Sequence, residues 1–396
     1  MDWIELEKKY YMPLFDRLPV TLVRGQGVNV WDDQGRQYLD FTSGIAVLSL
    51  GHCHPVLIQA ITSQAETLIH TSNNFYTTPQ LKLAELLVKH SAFQKVFFCN
   101  SGAEAAEAAV KLARRYGHLH LGEAYEVITA RGSFHGRTLA MVAASGQEKF
   151  QKPYAPIPAG FINVDYDDIE AIKAATTPLT CAVMLEAVQG EGGVNVPHPD
   201  YLQKVREWCD EKGLLFILDE IQTGIARTGS LFAYENTAVI PDIIALAKGL
   251  ASGVPIGAIL ATEKASVFAL SEHGSTFGGN PLACAAGYAV LDYIITNDLT
   301  RHAREMGKLL RADLEALQKE YSFITQVRGC GLLLAVEFNR ECARQVLDAC
   351  LERGLLVNKV KPNAIRLMPP LIITPAEIKE AVSILSSAIK CMAAHQ

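Results

Sequence analysis

The chain has 396 residues, 49% hydrophobic and 20% charged, with a formal net charge of -6. That balance fits an ordinary soluble enzyme with a large core and excludes a basic surface for nucleic acid. At about 150 residues per domain the length predicts two or three domains.

The first residues, Met1-Asp2-Trp3-Ile4-Glu5-Leu6-Glu7-Lys8, lack both a basic and an apolar leader region, so a cytoplasmic protein is expected. The nine cysteines are odd in number, dispersed and without a Cys-x-x-Cys pair, which reads as reduced core filler. Val28 to Trp31 and Gln37 to Phe41 flank the turn Asp32-Asp33-Gln34-Gly35 and predict an antiparallel meander. Gly51-His52-Cys53-His54-Pro55 then reads as a turn into a helix over 56–68, since two histidines without a third ligand make a poor metal site.

From residue 95 the pattern changes to apolar strands alternating with helices. Lys95 to Cys99, Glu126 to Ala130, Ala182 to Glu186 and Leu214 to Leu218 are strand-length apolar runs, with helices over 103–116 and 201–211. The stretch Ile243 to Thr262 is interrupted by Lys248 and several Gly and Pro residues, so two short buried strands around a loop suit it better than a membrane span. Such strands predict a mostly parallel sheet covered on both faces, with ligands at the carboxyl ends of its strands. After Pro281 the order becomes two helices (282–296 and 299–321), a strand (332–338), a helix (340–353), a strand near 365–367 and a last helix from Pro375. This predicts a smaller α+β domain built from both chain ends: residues 1–50 and 281–396, around a large domain of 51–280.

Several strand ends carry chemistry. Lys248 follows the apolar run Ile243 to Ala247, where desolvation favours the neutral amine, a good carbonyl nucleophile. A lysine that snorkels to the surface is the plain alternative. Ser101 and Glu104 form a capping box, and the amides of Gly102 and Ala103 beside it face outward at a positive helix end, where phosphate is well held. Asp219-Glu220, followed by Ile221-Gln222-Thr223-Gly224, places a carboxylate at the end of a buried strand, where it needs a cation or a metal, and a pyridinium N–H would serve. Phe134 could lie on a flat ring, or simply in the core, and Ser275-Thr276-Phe277-Gly278-Gly279-Asn280-Pro281 offers hydroxyls to an anion.

A phosphate cup, an aromatic face, an acid for a ring nitrogen and a Schiff-base lysine are together what pyridoxal phosphate requires. At this point the chain resembles the class III, fold type I aminotransferases, and among them the acetylornithine aminotransferase group, from about Tyr11 to the final helix. The blocks that carry the resemblance include Asp40 to Val47, Gly51 to Pro55, Ser133 to Thr138, Gln189 to Gly193, Leu218 to Gly224, Leu246 to Leu250 and Ser275 to Pro281.

The resemblance implies an α/β fold of type I and a pyridoxal phosphate site made of Ser101, Gly102, Ala103, Phe134, Asp219, Glu220, Ile221, Gln222 and Lys248. Lys248 would carry the cofactor as a Schiff base and move the substrate's proton, Asp219 would keep the ring nitrogen protonated, and Gln222 would bond the phenolic oxygen. Thr276 of the partner subunit would join the phosphate, which implies a homodimer, with Ser275 near the substrate on the same loop. Arg137 and Arg366 would bind the carboxylates of the substrates, and Glu191 would pair with Arg366 while the amino donor is bound.

The implied reaction moves the δ-amino group of N2-acetylornithine to 2-oxoglutarate, with succinylornithine, N-succinyl-diaminopimelate and free ornithine as rival donors. Ornithine aminotransferases carry tyrosines where this chain has Phe15 and Ile45, and apolar groups there disfavour a donor with a free α-ammonium. Among other classes, a nucleotide-dependent oxidoreductase would need Gly-x-Gly-x-x-Gly after its first strand, and no such run occurs. A protein that kept the fold and lost the chemistry would not be expected to retain Lys248, Asp219 and both arginines.

Overall fold

A computed structural model describes residues 3–237 and 239–393. Near the amino end, β1 (Leu22–Gln26), β2 (Asn29–Asp32) and β3 (Gln37–Asp40) form the antiparallel meander, with one strand more than the sequence suggests. The helix after it starts one residue earlier than expected, Pro55–Thr67, with Pro55 in its first turn, where a missing N–H costs nothing. His52 of the preceding turn is engaged by Asp40, Nε2 to Oδ2 2.8 Å.

The centre of the molecule is a seven-stranded sheet of β4 (Lys95–Cys99), β5 (Glu126–Ala130), β6 (Phe161–Val164), β7 (Thr180–Glu186), β8 (Leu215–Asp219), β9 (Ile243–Leu246) and β10 (Gly257–Ala261). Their order is β4-β10-β9-β8-β7-β5-β6, and β10 alone runs antiparallel to its neighbours. Every residue of β7, β8, β9 and β10 is buried, so these runs are apolar without alternation. The pleat still divides them: Val183, Leu185, Phe216, Leu218, Ile244 and Leu246 join the core on one face. Met184, Leu215, Ile217, Ile243 and Ala245 join the core on the other.

The helix Gly102–His120 covers that second face with a stripe of alanines and Gly117, where a Cβ would lie 2.1 Å from the Ala124 carbonyl oxygen. Only small residues allow the helix to approach the sheet so closely. The other layer includes Pro281–Thr296, packed on Pro55–Thr67 and Thr78–Lys89.

The carboxyl-terminal third holds an antiparallel sheet, β11 (Ile324–Cys330), β12 (Leu333–Phe338), β15 (Ala364–Leu367) and β14 (Asn358–Lys361), in that order. The helices Leu299–Glu320 and Pro375–Ala393 pack against each other, the first also against β11. A two-residue strand, β13 (Leu355–Leu356), pairs in parallel with β3, so the two chain ends share a sheet. Among the described residues no helix is long and apolar enough to cross a membrane. The eight described cysteines are free, and six of them are buried; the side chain of Cys391 lies outside the described residues.

Candidate active site

A cavity of about 440 Å3 opens at the carboxyl edge of the parallel strands. Segments following β4, β5, β7, β8 and β9 line it, together with Gly253 to Ile256 at the amino end of β10. Because β10 is reversed, its amino end lies at the same edge as the carboxyl ends of the others. The cavity gathers Ser101, Gly102, Ala103, Phe134, Arg137, Glu191, Asp219, Ile221, Gln222 and Lys248 from segments far apart in the chain.

Lys248 has φ 37°, a left-handed conformation that costs a residue with a side chain roughly 1–3 kcal/mol. Burial lowers its ammonium to about 8, the Arg366 charge acting the same way and the Glu191 charge opposing. A sizeable fraction of the amine is therefore neutral near physiological pH.

Asp219 ends β8, its Oδ1 accepting the Ile221 N–H at 3.0 Å and its Oδ2 lying 2.8 Å from His135 Nδ1. Burial works to lower the His135 imidazole, but the Asp219 bond and charge win and raise it. The His135 Nε2 has no partner among the described residues.

Ser101 caps the Gly102–His120 helix, its Oγ accepting the Glu104 N–H at 3.2 Å. The reciprocal arm of the box shifts by one residue: the Glu104 carboxylate takes the Asn100 N–H at 2.7 Å. Gly102 and Ala103 then stand in the first turn, whose amides have no intrahelical acceptor. A Cβ on Gly102 would come within 3.0 Å of Ile221, so glycine lets the turn close on the cavity wall.

The two arginines differ sharply. Arg366, fully buried on β15, donates to Gln222 Oε1 at 3.0 Å, Glu191 Oε1 at 2.7 Å and Asn358 Oδ1 at 2.7 Å. Burial works to raise the Glu191 carboxyl, yet the Arg366 charge draws it below its ordinary value. Arg366 stands behind Gln222 and Glu191 rather than on the cavity wall. Arg137 is exposed at the cavity with no hydrogen bond or ion pair among the described residues; its Cζ lies 5.2 Å from the Phe134 centroid.

Glu220, Ser275, Thr276 and Phe15 are not brought to this cavity in the single chain. Glu220 points the other way and accepts the amides of Ala233 and Tyr234, while burial raises its carboxyl to about 8. Ser275 Oγ accepts from Asn100 Nδ2 at 3.0 Å, and Thr276 lies in a small hollow with His70 and Asn73. Phe15 is 61% exposed; Ile45, 42% exposed, is two residues from Val47, which does line the cavity.

Glu186 and His135 are the residues that sequence reasoning missed. Glu186 ends β7 directly beside Asp219 at the end of β8, and burial raises its carboxyl to about 7. It accepts the N–H groups of Gly190 at 3.1 Å and Phe134 at 3.2 Å, tying two lining segments together. A carboxylate closing an apolar run is the same signal that marks Asp219.

The residues present fit pyridoxal phosphate. A desolvated amine, a carboxylate, helix-end amides and the buried Gln222 Nε2, which has no partner among the described residues, face one cavity beside an aromatic ring. The orphaned amide is costly unless something supplies an acceptor.

Residues 10–389 match the family model described as Aminotransferase class-III. An acetylornithine aminotransferase of Caldanaerobacter subterraneus subsp. tengcongensis is 51% identical over 387 residues, 98% of each chain. The solved acetylornithine aminotransferase of Elizabethkingia anophelis superposes with a TM-score of 0.88 at 38% identity, covering 98% of each chain. An ornithine aminotransferase of Toxoplasma gondii, described as having partial occupancy of pyridoxal phosphate at its active site, gives 0.94 at 35%, covering 98% of this chain and 93% of its own. A match along almost the whole length, with strand ends that gather the amine, acid and helix-end amides of such a site, places this chain among the class III aminotransferases, enzymes dependent on pyridoxal phosphate.

Proposed function

We propose that the chain transfers the δ-amino group of N2-acetylornithine to 2-oxoglutarate, giving N-acetylglutamate 5-semialdehyde and glutamate, as a cytoplasmic homodimer. The observation that carries this reading is the unequal pair of arginines: one fork open at the cavity, the other closed by Glu191.

Pyridoxal phosphate, when bound, supplies an aldehyde for the incoming amine and a ring that withdraws electrons from the substrate carbon. Lys248 would hold it covalently and, once released, take the proton from the substrate carbon that bears the transferred amino group, a task suited to an amine near neutrality. Asp219, whose Oδ2 lies 2.8 Å from His135 Nδ1, would be the acidic partner of the protonated ring nitrogen. The Gly102 and Ala103 amides would hold the phosphate, Phe134 would lie against the ring, and the unpartnered Gln222 Nε2 would be available to the phenolic oxygen.

Arg137 takes the α-carboxylate of the acylated donor in its planar fork. Meanwhile Glu191 occupies Arg366, so a donor with one carboxylate is oriented by one arginine only. 2-Oxoglutarate has two carboxylates and needs both forks, which requires Glu191 to leave Arg366. Thr276 of the partner subunit completes the phosphate site; exposed Phe75, Tyr76 and Phe277 support a subunit contact near that loop. Residues 1–50 and 281–396 would then form one unit flanking the larger one.

A second reading, transamination of free ornithine, draws on the higher TM-score of the Toxoplasma gondii enzyme. That score measures the backbone path; donor choice depends on side chains, and the apolar, exposed Ile45, two residues from the cavity-lining Val47, would offer a free α-ammonium no partner. The test is direct: the purified chain with N2-acetylornithine and 2-oxoglutarate should form glutamate, and borohydride reduction should fix the cofactor's mass on the Lys248 peptide. A label on another lysine, or no glutamate, would overturn the proposal.

A further inference from the structure

Arg137 lies against an aromatic shelf formed by Phe134 and Phe150. Its Cζ lies 4.0 Å from the centroid of Phe150, closer than to Phe134, and the two rings meet edge to face at 5.8 Å and 79°. The short helix that carries Phe150, Glu148–Gln151, is pinned at both ends. Gln147 Nε2 donates to the Ser133 carbonyl at 2.9 Å, next to Phe134, and Gln151 Nε2 donates to the Ser145 carbonyl at 2.8 Å and to Asn163 Oδ1 at 3.1 Å. Lys149 Nζ also lies 4.7 Å from the Phe150 centroid, and neither cation has a carboxylate partner among the described residues.

A long arginine at a cavity mouth would normally be held by an acid, which consumes the donors that a substrate needs, or be left mobile, which costs rotamer entropy on binding. A ring face does neither. It attracts the guanidinium through its quadrupole and restricts its rotamers, while the N–H groups, which point outward in the guanidinium plane, stay free. We propose that Phe150 is a specificity-determining positioning residue: its ring holds Arg137 so that the fork stays open to the carboxylate of the amino donor. This rests on the reading of Arg137 as the donor's carboxylate site.

The test compares two donors in wild type and in Phe150→Leu, which keeps the apolar bulk of a half-buried side chain and removes the ring. N2-acetylornithine carries the carboxylate; N-acetyl-1,4-diaminobutane is the same acylated amine without it. F150L should raise KM for N2-acetylornithine by about 3- to 10-fold with kcat little changed, and should leave kcat/KM for the carboxylate-free donor within about twofold. Phe150→Tyr should restore the wild-type KM, and in an Arg137→Ala background F150L should have no further effect. An equal loss with both donors, or no loss with either, would overturn the role of Phe150. Failure of the wild type to use N2-acetylornithine at all would instead strike the proposed function.

Discussion

Lys248 combines two costs that an ordinary lysine avoids, a left-handed backbone and removal of its ammonium from water. Each is tolerated because the surrounding strand ends fix the residue, and together they place a neutral amine where an aldehyde can reach it. The sign is definite: burial lowers this group to about 8, so protonation below that pH removes the lone pair. The rate at which apoprotein captures pyridoxal phosphate should therefore climb with pH through about 8 and level off above it, as stopped-flow absorbance can follow. A midpoint near 10 would mean that the amine is not desolvated. Asp219→Asn keeps the shape of the site and removes the carboxylate proposed to face the ring nitrogen. The first half-reaction should slow by at least ~100-fold while donor affinity changes far less, and an unchanged single-turnover rate would leave Asp219 a structural acid. Lys248 and Asp219 were legible in the sequence because each interrupts or closes an apolar run. Glu186 closes one too, but no second signal marked it, and His135 became visible only when folding placed it against Asp219.

Most of the strands that sequence reasoning found are interior ones such as β7, β8 and β9, which are buried throughout and read as apolar runs; β2, β3 and the edge strand β4 were found although partly exposed. Those it missed lie at edges or are very short: β1 is mostly exposed, β6, β11 and β14 end their sheets, and β13 has two residues. A half-solvated edge needs no continuous apolar run, so little in such a segment separates it from a loop. The joint between elements holds another surprise, the buried Arg227 in the segment after β8. Its Nη1 donates to the carbonyls of Leu332 at 3.1 Å and Pro369, linking that segment to the antiparallel sheet, and burial lowers the group to about 9 with no acid opposing. A buried cation is a poor source of stability compared with an apolar group of the same length. Arg227→Met should therefore stay within about 1.5 kcal/mol of wild type, whereas Arg227→Ala, which leaves a hole, should lose about 3 kcal/mol. Urea unfolding of the two variants decides this, and equal large losses would show that the charge itself is needed.

At the scale of the whole molecule, the site exists because sheet order brings residues 100–103, 134–137, 186–191, 219–222 and 247–248 to one edge. That order was not legible locally, since β4 and β10 are neighbours in space and far apart in the chain. The pairing of Leu39 with Leu355 has the same character: the two-residue strand β13 carries no signal until its partner is beside it. Ser275 and Thr276, which the family resemblance assigns to the substrate and cofactor, do not line the cavity of the single chain, although Ser275 Oγ accepts from Asn100, which does. The proposed donor choice rests on desolvation: if the α-amino end of the donor meets Ile45, a free α-ammonium would lose water and gain no partner, whereas an amide carries no such charge. The most direct measurement is the ratio of kcat/KM for N2-acetylornithine to that for ornithine, with 2-oxoglutarate as acceptor. A ratio of at least ~100 is expected from a site that offers the α-ammonium no partner; equal values, or a preference for ornithine, would contradict the assignment.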